Sequence, residues 1–449
     1  PIKPDPPNTV TSRPCIPSQP SARNKFNHLY TSISILLATT LAMLSISFYP
    51  KLMTNAPIPQ IRLLPKRHRR VKMGHPWIYS NEIEMTSEAK SLTPGSVVNF
   101  KNASNDLFGT GFFNPKPLVV GRILSNEVNV PIDEQFILER LTQACTLRDR
   151  LFREPFYRLI HAEADGMPGV IMDRYDDTIV VQINSAGFNL LESEIQSALK
   201  RLLDPQTIII QKSSAARSLE GLSLETDKVL GKVSEHTELM ENGLVFITDL
   251  KNGQKTGWFY DQRGNRAAVA AIASGARVLD CYCYLGGFGI NAAAAGAESV
   301  TMVDRSESAL SLAEAAADRN GLGRICKFER DEAFTFLEKA LSHGKRWDVV
   351  IVDPPAFVKS RKDLAAGLRG YRKLLRLAAL LVEPGGFLFA ASCSHNVDEK
   401  AFSEQVRHGL ADAGRNGRLL RTGGAAPDHP IHPFLAESAY LCSELLQLD

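Results

Sequence analysis

Residues 277–289 read Arg-Val-Leu-Asp-Cys-Tyr-Cys-Tyr-Leu-Gly-Gly-Phe-Gly. Arg277–Cys281 predicts a short apolar strand ending in an acid, Asp280. A turn at Gly286-Gly287 follows, and a helix is predicted over 288–297. The pattern then repeats. A second strand over 298–303 ends at Asp304, and Ser306 N-caps a helix running to Asn320. A strand over 325–329 leads to Asp331, and Trp347–Val352 leads to Asp353-Pro354-Pro355. A long helix ends near Pro384-Gly385-Gly386, and a strand over 387–391 leads to Ser392-Cys393-Ser394. Strands alternating with helices predict an α/β domain over 244–449, a doubly wound and mostly parallel sheet. Ligands of such sheets lie outside the carboxyl ends of the strands, so these polar ends converge on one crevice.

The crevice residues narrow the ligand. The glycine pair lets backbone approach a ligand and opens a helix N-terminus. Asp304, at the end of the second strand, is placed to accept both hydroxyls of a ribose. The dinucleotide pattern G-x-G-x-x-G is absent, and so is a Walker lysine. An adenosine ligand without phosphates fits better, and S-adenosylmethionine is the common one. Asp331 then faces the adenine amino group; a helix N-cap is its plainer role, and the two are compatible. The two prolines after Asp353 make a rigid turn suited to gripping the edge of a flat base. Cys393 ends the next strand and faces the same crevice. A thiolate adding to C6 of a pyrimidine makes C5 nucleophilic enough to take a methyl group from a sulfonium. Asp353 would stabilise or protonate N3 as charge develops. The alternative for Cys393 is a small buried apolar residue. Cys281 and Cys283 lack a second pair or a nearby His, so no metal site is expected, and Cys326 and Cys442 read as core.

Working outward, the chain has 449 residues, long enough for two or three domains at about 150 residues each. It is 44% hydrophobic and 22% charged, which excludes wholesale disorder. A net charge of +3 excludes binding driven by bulk charge, so any nucleic-acid site is a local patch. Seven cysteines suit thiols in a reducing, cytoplasmic compartment better than a disulfide framework. Residues 1–52 stand apart: seven prolines in the first twenty positions, then an uncharged stretch over 29–49. They read as a disordered extension, non-native to a protein starting at Met53. A membrane anchor at 29–49 is the alternative, and only then would a membrane be a partner. Without this extension the net charge is −1, so the basicity of the whole chain says nothing about RNA.

Two blocks precede the α/β domain. Residues 59–126 predict a small β-rich domain with strands over 61–64, 96–100 and 119–123. Lys66, Arg67, Arg69, Arg70 and Lys72 crowd beside His75-Pro76-Trp77. That suits phosphate contacts with base stacking on Trp77, or else a solvated charge run beside a core Trp. Residues 131–238 predict an α+β domain with helices over 137–152 and 190–203 and strands over 158–164, 170–173, 178–183 and 207–211. Its Glu163, Asp165 and Asp173 read as turn caps rather than acid/base groups. In the α/β domain, Arg369, Arg372, Lys373 and Arg376 share one helix face. With Lys359, Arg361 and Lys362, seven basic residues stand against one acid, Asp363. They suit an RNA backbone track, with an ordinary solvated face as the alternative.

Taken together, these residues resemble the class I, Rossmann-like, S-adenosylmethionine-dependent RNA methyltransferases with an N-terminal PUA domain. The best-known bacterial member of that family methylates C5 of a cytosine in large-subunit ribosomal RNA. The resemblance runs from about residue 60 to the end. It is carried by His75-Pro76-Trp77-Ile78, Glu163-Ala164-Asp165-Gly166-Met167-Pro168-Gly169 and Gly253-Gln254-Lys255-Thr256-Gly257-Trp258-Phe259-Tyr260-Asp261-Gln262-Arg263. Tyr284-Leu285-Gly286-Gly287-Phe288, Asp353-Pro354-Pro355-Ala356-Phe357, Arg369-Gly370-Tyr371 and Ser392-Cys393-Ser394 complete it. The resemblance implies Cys393 as nucleophile and Asp353 in the base-binding motif. Around the cofactor it implies Tyr260, Gln262, Asp280, Tyr284, Gly286, Gly287, Phe288, Asp304 and Asp331. The implied partner is RNA, large-subunit ribosomal RNA in particular, with a homodimer open and no metal. Two departures stand out: Leu285 replaces the Thr of many relatives, and Cys442-Ser443 replaces the usual Lys-Gly. Rival readings are a guanine-N7 methyltransferase on the same fold, which has Asn-rich residues in place of Cys393, a non-catalytic ribosome assembly factor, and a small-molecule methyltransferase.

Overall fold

Seven strands form the sheet that carries the crevice. They are β1 (Arg277–Cys281), β2 (Ser299–Asp304), β3 (Cys326–Arg330), β4 (Trp347–Val352), β5 (Val382–Ser392), β6 (Gly417–Gly423) and β7 (Cys442–Leu448). In this computed structural model, which describes residues 57–251, 253 and 256–449, their order is β3-β2-β1-β4-β5-β7-β6. Neighbours from β3 to β5 pair in parallel, and β7 runs antiparallel between β5 and β6. The chain reverses direction across the sheet between β1 and β4, so the crevice opens at that switch point. The central strands are apolar runs because both faces are covered. Val278, Val349 and Ile351 pack on one side; Leu279, Val350 and Val352 pack on the other. The covering helices are α1 (Gly287–Ala294), α2 (Glu307–Arg319), α3 (Ala333–Ser342), α4 (Leu364–Leu381) and α5 (Glu399–Asp412).

Upstream lie two further five-stranded sheets. The first has the order Gln60–Arg62, Ser96–Lys101, Leu107–Phe113, Val119–Ser125, Trp77–Tyr79. The second has the order Lys228–Leu230, Thr207–Gln211, Thr178–Ile183, Val170–Tyr175, Phe156–His161. Helices Glu134–Leu151 and Glu192–Leu203 pack on it through Ile137, Leu141, Ile195 and Leu199. Tyr175, Val180 and Ile209 of this sheet share one apolar cluster with Trp258, Val278 and Phe288, so the second sheet and the crevice sheet are joined by a common core. The expected extension over 1–52, with its apolar stretch at 29–49, lies outside the described residues. Among those described, no helix is long and apolar enough to cross a membrane.

A buried arginine locks this arrangement. Arg148 sits on the inward stripe of helix Glu134–Leu151 and is wholly buried. Its guanidinium donates to both carboxylate oxygens of Asp165 at 2.6 and 2.8 Å, and to the carbonyls of Arg158 and Asp428 at 2.9 Å each. Arg158 in turn grips Asp173 with two nitrogens. Asp165 and Asp173 are therefore halves of buried ion pairs. Removing one partner strands a buried charge, so Arg148→Leu is expected to cost about 3–5 kcal/mol. Urea unfolding checks this as a lower midpoint with an unchanged slope.

Candidate active site

The loop after β1 is held in an unusual shape. Tyr282, Tyr284 and Gly286 all have positive φ, at 63°, 49° and 74°. Non-glycine residues there cost of order 1–3 kcal/mol each, and such strain concentrates at functional sites. Asp304 pays part of that cost by accepting the Tyr284 N–H at 3.0 Å, while its other oxygen accepts the Ser306 N–H at 2.9 Å. The Tyr284 ring stands edge-on to Phe259, with centroids 5.3 Å apart. Gly286 supplies the positive φ that shapes this turn. A Cβ there would meet Ile290, Met302 and Ala313 of the protein's own interior at 3.0–3.2 Å.

A cavity of about 410 Å³ opens above this loop. It brings together Gln262, Tyr284, Gly287, Phe288, Asp304, Asp331, Asp353 and Cys393 of the expected residues. Tyr260, Asp280 and Gly286 do not line it. Tyr260 is fully buried, its ring 5.5 Å from that of Tyr175 and its hydroxyl donating to the Arg174 carbonyl. Asp280 lies beneath the floor, where it accepts the Gly289 N–H at 2.8 Å. Burial pushes its carboxyl up to about 8. A folded-state value raised above the unfolded one binds an extra proton between about pH 4 and 8, so stability falls as pH rises through that window. Asp280→Asn is expected to remove up to about 1.4 kcal/mol per pH unit of this slope, checked by urea unfolding at several pH values.

Asp331 sits at the rim, where Lys339 donates to it at 2.8 Å and holds its carboxyl below the usual range. Its N-cap role does not hold, because Glu332 is the N-cap of α3. On the opposite wall, Gln262 donates to Asp353 at 3.0 Å, and Asn265 donates to the Gln262 side-chain oxygen at 2.7 Å. Gln262 thus orients Asp353. Cys393 Sγ lies 3.9 Å from the Pro354 carbonyl oxygen. The turn that carries it is pinned by Tyr371, whose hydroxyl bonds Ser392 at 2.8 Å and Ser394 at 2.9 Å. Ser394 also accepts the Val358 N–H, so Tyr371 ties α4, the Asp-Pro-Pro loop and the Cys393 turn together.

The lining's charge points to a ligand class. Asp261, Asp304, Asp331, Glu332 and Asp353 contribute five carboxylates against two guanidiniums, Arg266 and Arg305. Arg266 is spent on the buried Glu241 at 2.6 Å. An acidic, partly apolar cavity repels phosphates and suits a cationic ligand. A sulfonium with an ammonium group, flat apolar walls at Val303 and Ala333, and carboxylates for hydroxyls fit S-adenosylmethionine. Among the described residues no group of three or more His, Cys, Asp or Glu gathers as a metal site. Cys283 lines the cavity while Cys281 is core.

The basic patches are only partly available. Lys66, Arg67, Arg69 and Lys72 are exposed, but Arg70 is spent on Glu82 at 2.7 Å and the Trp77 carbonyl at 3.0 Å. Trp77 is half-buried and its indole N–H donates in the ring plane to Glu163 at 2.7 Å, which fixes the orientation of the ring. On α4, Arg372 pairs with Asp412 and Lys373 with Glu338, because neighbouring helices supply the acids that the local sequence lacks. That leaves five of the seven residues of the expected track, Lys359, Arg361, Lys362, Arg369 and Arg376, outside these pairs. Sequence reasoning missed His395 and Tyr440, which line the cavity. His395 stands two residues after Cys393, which was the one local signal; Tyr440 had none.

Comparison with known proteins follows the same lines. Residues 215–408 match the model of the S-adenosylmethionine-dependent methyltransferase family, and residues 61–126 match that of the PUA-like domain. A ribosomal RNA large subunit methyltransferase I of Aeromonas hydrophila is 35% identical over 387 residues, 85% of this chain and 97% of that protein. Its counterpart in Klebsiella pneumoniae is 33% identical over 395 residues, 87% and 98% of the two chains. A solved structure described as a SAM-dependent methyltransferase from Streptococcus mutans superposes with a TM-score of 0.74 at 20% identity, covering 87% of this chain and all of that one. Another methyltransferase structure, complexed with SAH, gives 0.75 at the same identity. The chain belongs to the ribosomal RNA large subunit methyltransferase I family, S-adenosylmethionine-dependent methyltransferases with a PUA-like N-terminal domain.

Proposed function

We propose that this protein methylates C5 of a cytosine in large-subunit ribosomal RNA through a covalent Cys393–C6 adduct. The observation that supports the reading is a thiol beside the Pro354 carbonyl in the same cavity as Asp353. Asp304 and Asp331 would hold the ribose and adenine of S-adenosylmethionine, which supplies an electrophilic methyl group. The target base, unstacked at a cost of a few kcal/mol, lies with N3 toward Asp353 and C6 toward Cys393. The Cys393 thiolate adds to C6, and proton donation or hydrogen bonding from Asp353 at N3 accommodates the charge. C5, now nucleophilic, takes the methyl group. Loss of the C5 proton to water or a base near Asp353 then expels the Cys393 thiolate. Guanine N7 is already nucleophilic and needs no thiol, so Cys393 favours cytosine C5 over guanine N7.

The test is methyl transfer from labelled S-adenosylmethionine to unmodified ribosomal RNA, with the product nucleoside identified by mass spectrometry. Labelled 5-methylcytidine is expected. Labelled 7-methylguanosine would overturn the reading and leave Cys393 a structural thiol.

A further inference from the structure

Trp258, Phe259, Asp261, His395 and Tyr440 line two cavities at once, the one described above and a second. The second, again about 410 Å³, is the size of a small-ligand site. Trp77 of the first sheet, His161 and Gln182 of the second, Glu163 of the short helical turn Ala162–Asp165, and His429 and Glu437 of the C-terminal segment line it. The reaction above uses none of these six.

Flat rings run from one cavity to the other. The Tyr440 ring is near-parallel to those of His395 and His161, with centroids 5.2 and 6.1 Å away and planes within 28° and 27°. His429 continues the run, 5.0 Å from His161. The chamber offers a phosphate little. Arg158 is its one guanidinium and is held by both oxygens of Asp173. Burial, with His429, Arg158 and Arg148 nearby, drives His161 toward its neutral form. Glu437 adds an exposed carboxylate, and Glu163, whose Oε1 accepts from Trp77 and Arg122, adds its second oxygen. The Trp77 indole on the chamber wall, with acceptors at the edge, suits a nucleobase whose own edge carries N–H donors.

We propose that this chamber holds an unstacked base of the substrate RNA, the immediate neighbour of the target nucleotide. The proposal rests on the RNA-methyltransferase reading above. Extracting the target leaves its neighbour without a stacking partner, and the chamber supplies one on the protein.

Ala164 lines the chamber from the short helical turn Ala162–Asp165, away from the first cavity. Ala164→Trp should fill it. Once the methylated position is mapped, kcat and KM are measured on RNA that is intact, or abasic immediately 5′ or 3′ of the target. S-adenosylmethionine affinity of the free protein is measured alongside. The variant should bind S-adenosylmethionine as the wild type does, with KM for RNA raised about tenfold or more, the scale of one lost base–aromatic stack. The wild type should lose a similar factor on one of the two abasic RNAs, and the variant should lose nothing further on it. Unchanged KM in the variant, or abasic effects equal in both proteins, would overturn the chamber while leaving the methyltransferase reading intact. A wild type that methylates no RNA would sink the reading and the chamber with it. If Ala164→Trp fails to fold, Glu437→Gln at an exposed position carries the test: a severalfold rise in KM is expected, and an unchanged KM overturns the proposal.

Discussion

Cys393→Ala is expected to cut methyl transfer to below about one-thousandth of the wild-type rate, the scale of losing a covalent nucleophile. The thiol is the one group at the Pro354 wall able to add to C6, and without it C5 of cytosine is a poor nucleophile. The cofactor groups are far enough removed in the fold to be spared. Asp304 and Asp331 belong to the β2 and β3 ends, whereas Cys393 follows β5. S-adenosylmethionine affinity, measured by calorimetry on the same preparation, should therefore match the wild type. The fold should be spared too, since Ser392 and Ser394, not Cys393, carry the hydrogen bonds to Tyr371. Substantial activity in this variant would remove Cys393 from the mechanism.

Asp353→Asn is the second large effect, with kcat expected to fall about 10²- to 10⁴-fold, the usual contribution of a positioned acid or base. The substitution preserves volume and leaves an amide oxygen able to accept from Gln262, so the Asp-Pro-Pro turn should persist. What it removes is a carboxyl group able to exchange a proton with N3. Gln262→Ala should give a milder loss in the same direction, since Asp353 then loses a fixed donor on one oxygen while its chemistry survives. Steady-state kinetics separate the two cases: Asp353→Asn acts on kcat, and Gln262→Ala acts partly through KM for RNA. Equal kcat for Asp353→Asn and wild type would confine Asp353 to a structural role.

The crevice was legible because buried parallel strands are apolar on both faces and stop at polar turns. Arg277–Cys281 and Trp347–Val352 can be read to the residue on that basis. Cys393, Asp353, Asp304 and Asp331 all follow such stops, so one topological rule brings them together. Other features depend on distant partners. Asp280 also ends a strand, yet it turns under the loop to meet the N–H of Gly289, and nothing local distinguishes it from Asp304. Leu107–Phe113 does not read as a strand, because Gly109 and Gly111 interrupt its pattern. A Cβ at Gly111 would lie 2.1 Å from the Arg122 carbonyl oxygen of the neighbouring strand, a packing demand invisible in sequence. Val382–Gly386 contains a proline and two glycines and reads as a turn, but it is the start of β5. Arg148 looks like a surface residue of an amphipathic helix; only the fold reveals that Asp165 waits beneath it. The α4 basic face errs the other way, since Asp412 and Glu338 lie on other helices.

The most direct test of the account is a trap. RNA carrying 5-fluorocytidine at the target cannot lose its C5 substituent as a proton, so the methylated adduct cannot collapse. With S-adenosylmethionine present, the account predicts a denaturant-stable protein–RNA complex whose nucleotide-bearing peptide contains Cys393. No such complex in the Cys393→Ala variant is the matching control. A wild-type protein that methylates unmodified RNA yet forms no covalent complex, or one that links through a residue other than Cys393, would contradict it.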